Sequence, residues 1–414
     1  MTEIFSGFYK RTPEERLAIV QEAGFVGQSE VPSLPKDIAN QMIENFVGSY
    51  QLPMGLAVNV QVNGQAYAVP MAIEEPSVIA AVANGGKILG NIDSKAYNRE
   101  LIGQIIIQDL ANLQEAKQML EAQTDKLLHK AAEVSQSMIQ RGGGPRKIWV
   151  EVVEDFLTLY LSLDSCDSMG ANLMNTILEH LVPSVETLTQ GKVLMGILSN
   201  YSTEANVTAK VKVPLTRLSA EADEALQMAE RIAAASSYAQ LDPYRAATHN
   251  KGIMNGIDAV LIATGNDWRA VEAGVHAYAV QAGQYRGLSR WWLNDDQTAL
   301  HGELSLPLYL ATVGGSLSNH PTAQWALDLL GRPSGDGLSE IIAAVGLIQN
   351  FSAVRALVTT GIQKGHMRMQ ARSLAMQAGA RTDNVSEVVE ALMQAPLMNL
   401  SAANDIVRKV QGED

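Results

Sequence analysis

Cysteine is what this chain has least of. Cys166 is the single one, so neither an internal disulfide nor a cysteine-based zinc site can form, and a reducing, cytoplasmic compartment is expected. Basic residues are also in deficit: 31 Lys and Arg against 44 Asp and Glu give a formal charge of -13. That balance argues against a general nucleic-acid binder, which needs a basic surface. No run approaches the roughly 18 apolar residues of a membrane span, so no membrane partner is expected. The opening MTEIFSGFYKRTPEERLAIV lacks the basic start, apolar stretch and small-residue cleavage site of a secretory signal. GxGxxG, GxxxxGK[ST] and HExxH are all missing, which weakens Rossmann, P-loop and zinc-hydrolase readings. Histidines at 129, 180, 249, 276, 301, 320 and 366 show no tight ligand spacing, and no metal is expected.

What is present is ordinary globular material: 47% apolar and 18% charged residues over 414 positions, enough for two or three domains of roughly 150 residues. Residues 11–48 look helical, opened by Thr12-Pro13-Glu14-Glu15 as cap, first-turn proline and early acids. A hairpin follows, two alternating runs about Asn63-Gly64, a pair that readily supplies positive φ. Residues 78–84 form a helix that Gly85-Gly86 closes.

The middle alternates in the order βαββαβ, the split arrangement of ferredoxin-like domains. The pattern places a strand at 104–108, one long helix at 110–140, strands at 147–153 and 155–163, a helix at 171–181 and a return strand at 206–213. From Ser219 the pattern is mainly helical. The helix at 243–263 is apolar around much of its circumference, which suggests the centre of a larger domain. Residues 361–414 form a separate helical tail. The expected fold is α+β, with a largely helical large domain around a buried central helix (1–95 and 201–360). Inserted in it is a ferredoxin-like βαββαβ domain (96–200, or to 213 with the return strand), followed by a small C-terminal helical flap (361–414).

One polar, glycine-containing stretch interrupts an apolar region: Asp242-Pro-Tyr-Arg-Ala-Ala-Thr-His-Asn-Lys-Gly-Ile-Met-Asn-Gly-Ile-Asp258. Lys251 and Asn255, four apart, share a helix face. A buried lysine needs an anion nearby, and Asp267 in Thr264-Gly-Asn-Asp-Trp268 is a candidate. Equally, Asp267 caps the next helix and Lys251 reaches solvent. Cys166 reads as a small packing residue.

Several segments together resemble the bacterial, class II hydroxymethylglutaryl-CoA (HMG-CoA) reductases. They are Glu74-Glu75-Pro76-Ser77, Asp167-Ser-Met-Gly-Ala-Asn172, the 242–252 stretch, Gly265-Asn-Asp-Trp268, Gly365-His366-Met367 and Glu44-Asn45-Phe46-Val47-Gly48. The likeness covers nearly the whole chain in order. It implies a reversible four-electron reduction of HMG-CoA to mevalonate and CoA, through mevaldyl-CoA and mevaldehyde. Its implied catalytic set is Lys251 for the thioester oxyanion, Asp267 to tune it, Glu75 as proton donor and His366 to protonate the CoA thiolate. Arg245 would pair with the HMG carboxylate, beside Ser77 and Asn255. The nicotinamide cofactor would sit in the βαββαβ domain, on Asp167, Met169, Gly170, Ala171, Asn172 and Asn200. Ser135, standing where an acidic residue would select NADH, favours NADPH over NADH, and Lys10-Arg11 is a candidate for CoA phosphates. The likeness also implies a homodimer or dimer-based oligomer with active sites across the interface. The alternative from another class is a non-catalytic acyl-CoA-binding or regulatory protein of the same fold.

Overall fold

Asn63 and Gly64 have φ of 52° and 83°, the positive pair that reverses a chain in two residues. They join β1 (Met54–Val62) to β2 (Gln65–Ala72), with Val62 opposite Gln65. The computed structural model describes residues 4–25, 30–359, 363–381 and 383–412. These form two compact units, Met1–Ser352 and Ala353–Asp414.

The hairpin belongs to a six-stranded sheet with order β2-β1-β3-β8-β10-β9, in which β8 is Asn206–Pro214, β9 Ser289–Leu293 and β10 Ala299–Pro307. β3 is Asn91–Ala96, and before it runs α3, Val78–Leu89. That helix does not stop at Gly85-Gly86 as the sequence suggested. A Cβ on Gly86 would lie 2.5 Å from the Asn59 carbonyl oxygen, so this glycine lets helix and strand approach closely, and Gly90, with φ 78°, ends the helix instead. The 11–48 stretch contains α1 (Pro13–Glu22) and α2 (Lys36–Met42) rather than continuous helix. Thr12 and Glu15 form the reciprocal cap of α1.

The second sheet has β4 (Leu101–Gln108), β5 (Gly144–Val153), β6 (Phe156–Asp164) and β7 (Lys192–Ser199) in the order β5-β6-β4-β7. All its pairings are antiparallel. The βαββαβ order is present, but two expectations need correcting. The return strand is β7, not 206–213. That later run is β8 (Asn206–Pro214), which lies between β3 and β10 in the larger sheet. Alternation marks one covered face without saying which sheet covers it, and β7, apolar on both sides, hid as a continuous run.

The long helix is also broken, into α4 (Leu113–Glu121), α5 (Thr124–Glu133) and α6 (Gln136–Ile139). Unbroken, it would extend roughly 45 Å against roughly 30 Å for a strand of this sheet, leaving apolar residues with nothing to cover. With the breaks, Ala116, Leu120, Leu127 and Ala131 share a core with Leu157, Leu159, Leu161 and α7 (Ala171–Thr189).

Beyond β8 come α8 (Ala222–Leu241), α9 (Pro243–Ala263) and α10 (Trp268–Tyr278). α9 is the expected buried helix: Ile253, Ile257, Val260 and Leu261 are fully covered. Its start is set by Asp242, which accepts a 2.8 Å hydrogen bond from the Arg245 amide, with Pro243 in the first turn. The mainly helical reading after 219 omits β9 (Ser289–Leu293) and β10 (Ala299–Pro307). β9 is short, and Gly302 interrupts the pattern of β10 because the Trp291 ring lies against it, 2.2 Å from where a Cβ would sit.

α11 (Pro321–Leu329) and α12 (Gly335–Val358) follow. Contrary to the sequence reading, α12 is long and apolar enough to cross a membrane, and it is the one such helix among the described residues. Two thirds of its apolar window is covered by the protein itself, 67%, the pattern of a core helix.

The second unit contains α13 (Gln363–Gln377), α14 (Val385–Gln394) and α15 (Leu400–Gln411) around Ala371, Ala375, Val388, Leu392 and Ala403. His366 falls within α13, and its side chain lies outside the described residues.

Candidate active site

Glu75 and Lys251 are separated by 176 positions and meet at 2.6 Å, Nζ to Oε2. Glu75 sits in the short link between β2 and α3, which ends at Ser77 in a left-handed conformation, φ 72°. Lys251 projects from the solvent side of α9, because its neighbours Asn250 and Ile253 take the covered face. The side chains remain 41% and 59% exposed, so Lys251 is not the buried lysine of one sequence reading but reaches solvent, as in its alternative. At that exposure the pair contributes little to stability, about 0–1 kcal/mol. Glu75 and Ser77 line a cavity of about 940 Å³ whose cations are Arg16 and Lys87. Lys10 and Arg11 are not in its wall.

A second pocket, about 90 Å³, brings Met169, Ala171, Asn200 and Asp267 together. Asp267 caps α10, accepting from the Arg269 and Ala270 amides at 3.2 Å, and pairs with the Arg269 guanidinium at 3.3 Å. These partners are those of the capping alternative, while the partner of Lys251 is Glu75. Asn266 secures the turn beneath by exchanging hydrogen bonds with the Ala311 backbone, 3.1 and 2.8 Å.

Gly170, φ 70°, precedes α7, and no side chain caps that helix. A Cβ on Gly170 would fall 2.5 Å from Ser165 Oγ, so this position needs glycine for its conformation and for its space. Free amides at the start of a 19-residue helix, opening on a pocket, are a ready anion site.

Comparison with known proteins decides what this arrangement belongs to. Residues 12–371 match the family model "Hydroxymethylglutaryl-coenzyme A reductase". The chain belongs to the HMG-CoA reductase family. A 3-hydroxy-3-methylglutaryl-coenzyme A reductase of Archaeoglobus fulgidus is 38% identical over 99% of this chain and 95% of its own. A solved structure of the Streptococcus pneumoniae reductase is 44% identical with a TM-score of 0.85, covering 98% of this chain and 99% of that one. Another, described as the class II enzyme bound to NADPH in open conformations, has a TM-score of 0.83 and covers 97% and 100%. The class II resemblance seen in the motifs therefore holds. The chain is an NAD(P)H-dependent oxidoreductase that reduces HMG-CoA, and the non-catalytic alternative gives way.

Other reductase residues singled out from sequence lie elsewhere in the first unit. Arg245 is half-buried on α9, where desolvation pulls its guanidinium pKa down. Asn255 is half-buried one turn beyond Lys251. Asp167 binds the Gly335 amide through Oδ1 at 2.7 Å. Ser135 is 2% exposed, with its hydroxyl donated to the Ala131 carbonyl at 3.1 Å. A serine so buried can influence the cofactor only by omitting a carboxylate, not by touching a phosphate. Cys166 is half-buried in a left-handed turn, φ 51°, more exposed than a packing role implies.

His249 is a core residue. Its Nε2 lies 2.6 Å from Ser289 Oγ and 3.1 Å from Asn350 Nδ2. Burial, reinforced by the Arg245 charge, lowers its pKa from 6.5 to about 4. The unfolded chain therefore takes up a proton that the fold refuses, so the contribution is intact above pH 6.5 and declines towards pH 4. The expected loss is about 3 kcal/mol. Urea unfolding at pH 7.5 and 4.5 measures it, and His249→Asn should flatten that component. Identical pH dependence in both proteins would remove His249 as its source.

Residues missed in the sequence are those that fasten the 165–170 loop. Tyr309, Arg99, Thr312 and Val313 are far from it along the chain and carry no motif.

Proposed function

We propose that the Glu75–Lys251 pair is the reaction centre at which HMG-CoA is reduced to mevalonate and CoA. The observation that carries this reading is the 2.6 Å contact between a motif acid and a motif lysine from opposite parts of the chain. Lys251 holds the thioester oxygen and stabilises the negative charge that hydride addition places there, a task for a fixed cation aimed at the oxyanion. Glu75, beside it, supplies the proton that turns that oxygen into a hydroxyl. Asp267 is assigned to tuning Lys251 by the family likeness alone, since its partners here are the α10 amides and Arg269. His366 protonates the departing CoA thiolate, so that it does not add back to mevaldehyde. Arg245, with Ser77 and Asn255, receives the HMG carboxylate, a good match for a guanidinium fork.

The nicotinamide cofactor, when bound, supplies one hydride, and two molecules in succession would supply the two that a turnover needs. The loop before α7 and the pocket beside it suit that group: Gly170 lets the loop close onto Ser165, and the first α7 amides, with no side chain capping them, would meet anionic oxygens of the cofactor. Asp167, Met169, Ala171, Asn172 and Asn200 complete that surface. The βαββαβ region, 96–200, is then the cofactor domain, inserted in a substrate domain of 1–95 and 201–360, with 361–414 as a flap that excludes water on closing. NADPH is favoured over NADH because Ser135 provides no carboxylate to repel a 2'-phosphate. A homodimer or dimer-based oligomer in the cytoplasm, without nucleic-acid or membrane partners, completes the reading.

Steady-state assays with NADPH and NADH, run in both directions, test it. Oxidation should require HMG-CoA and be faster with NADPH at limiting cofactor. A large NADH preference would defeat the Ser135 argument, and oxidation independent of HMG-CoA would defeat the substrate.

A further inference from the structure

The loop assigned above to the cofactor is fastened from outside its own domain region. Ser165 Oγ donates to the Ser168 carbonyl at 2.6 Å, and Ser168 Oγ donates to the Ser165 carbonyl at 2.7 Å, closing a small ring of bonds. The Tyr309 hydroxyl reaches into that ring. It hydrogen-bonds Ser165 Oγ and lies 3.3 Å from the Ser168 carbonyl. Since the Ser165 proton is already given to Ser168, Tyr309 is the donor.

Arg99 lies across the other side of the ring, its guanidinium carbon 4.6 Å from the Tyr309 ring centroid. Its Nε donates to the Cys166 carbonyl at 2.5 Å, and its Nη2 donates to the Leu310 carbonyl. The same cation therefore ties loop and tyrosine segment together. Three backbone-side contacts complete the attachment: the Asp167 carbonyl accepts from Thr312 and Val313 at 2.9 and 3.2 Å, and Asp167 Oδ1 accepts from the Gly335 amide at 2.7 Å. Tyr309 also lines the pocket that holds Met169, Ala171 and Asp267.

We propose that Tyr309, backed by Arg99, is a positioning residue that holds the 165–170 loop in its cofactor-receiving shape. The inference rests on the assignment of that loop to the nicotinamide cofactor. Gly170, φ 70°, packs against Ser165, so Ser165 sets where α7 begins and where its first amides point. Without the tyrosine hydroxyl, Ser165 loses its donor and the turn keeps only the indirect link to the Tyr309 ring that runs through Arg99. Freezing the loop in advance removes an ordering cost from cofactor binding, whereas the cavity that Glu75 and Ser77 line shares no lining residue with the pocket that Tyr309 lines.

Tyr309→Phe keeps the ring and the guanidinium stacked on it. NADPH affinity, followed through nicotinamide fluorescence without HMG-CoA, should weaken roughly three- to tenfold, the effect of one neutral hydrogen bond. The KM for HMG-CoA should stay within about twofold, and amide hydrogen exchange across 165–170 should quicken in the cofactor-free protein. Arg99→Met should do the same, with Arg99→Lys recovering part of the affinity by keeping a cation on the ring. Unchanged NADPH affinity and exchange, or equal weakening of both substrates with faster exchange throughout the first unit, would overturn the proposal. Ala171→Asp separates this from the parent reading, because it adds a carboxylate to the first turn without disturbing the clamp. If it leaves NADPH affinity intact, the loop is not the cofactor site and the proposal falls with it. If it abolishes affinity while Tyr309→Phe changes nothing, only the clamp falls.

Discussion

Lys251→Ala is expected to lower HMG-CoA-dependent NADPH oxidation about a thousandfold, the upper range for removing one group from a developing oxyanion. The fold should persist. Lys251 is 59% exposed in side chain and its ion pair lies in water, so unfolding stability should change by no more than about 1 kcal/mol. The loss belongs in kcat rather than in the KM for HMG-CoA. A lysine that stabilises charge present only after hydride addition contributes little to the resting thioester. Steady-state kinetics alongside urea unfolding measure both quantities. Turnover within tenfold of the parent would remove Lys251 from the centre, and a collapse in stability would show that the pair supports the fold instead.

Legibility in the sequence followed the range of the physics involved. Asn63-Gly64 was legible because a two-residue turn is decided by the residues in it, and α9 was legible from its own cap and apolar circumference. Its neighbours were harder. β7 and β8 exchanged roles because alternation reports that one face is covered and not by which sheet. β9 and β10 were lost because Gly302 and Trp291 suit one another across strands and neither suits a strand alone. The Glu75 and Lys251 motifs stood out from sequence. Their contact did not, since Asp267 was the nearer candidate along the chain and the fold supplied a carboxylate 176 positions away. Nothing local could have marked Tyr309: its partners Ser165 and Ser168 are 144 and 141 residues distant. Residues that support a site through long-range contacts are individually ordinary, and only the folded chain distinguishes them.

The glycine at the start of α7 gives the second large effect. Gly170→Ala would require an L side chain at φ 70°, costing roughly 1–2 kcal/mol. It would also place a methyl 2.5 Å from Ser165 Oγ and 2.9 Å from Leu101 Cδ1, an overpacking that typically costs about 1–3 kcal/mol. Loops give way before sheets do. Leu101 is fixed in β4, so relief comes from moving the 165–170 turn, which carries the α7 amides off the pocket. Conversion of about 2–5 kcal/mol at tenfold per 1.4 kcal/mol predicts NADPH binding weaker by at least about thirtyfold. HMG-CoA binding should be nearly unaffected, since Glu75 and Ser77 lie in the other cavity. Equilibrium titration of each ligand against the folded variant distinguishes these outcomes. Unaltered NADPH affinity in a protein of normal stability would mean that the cofactor does not approach this turn. Equal loss of both ligands would mean that the turn holds the substrate cavity as well, and the separation of the two binding regions would have to be abandoned.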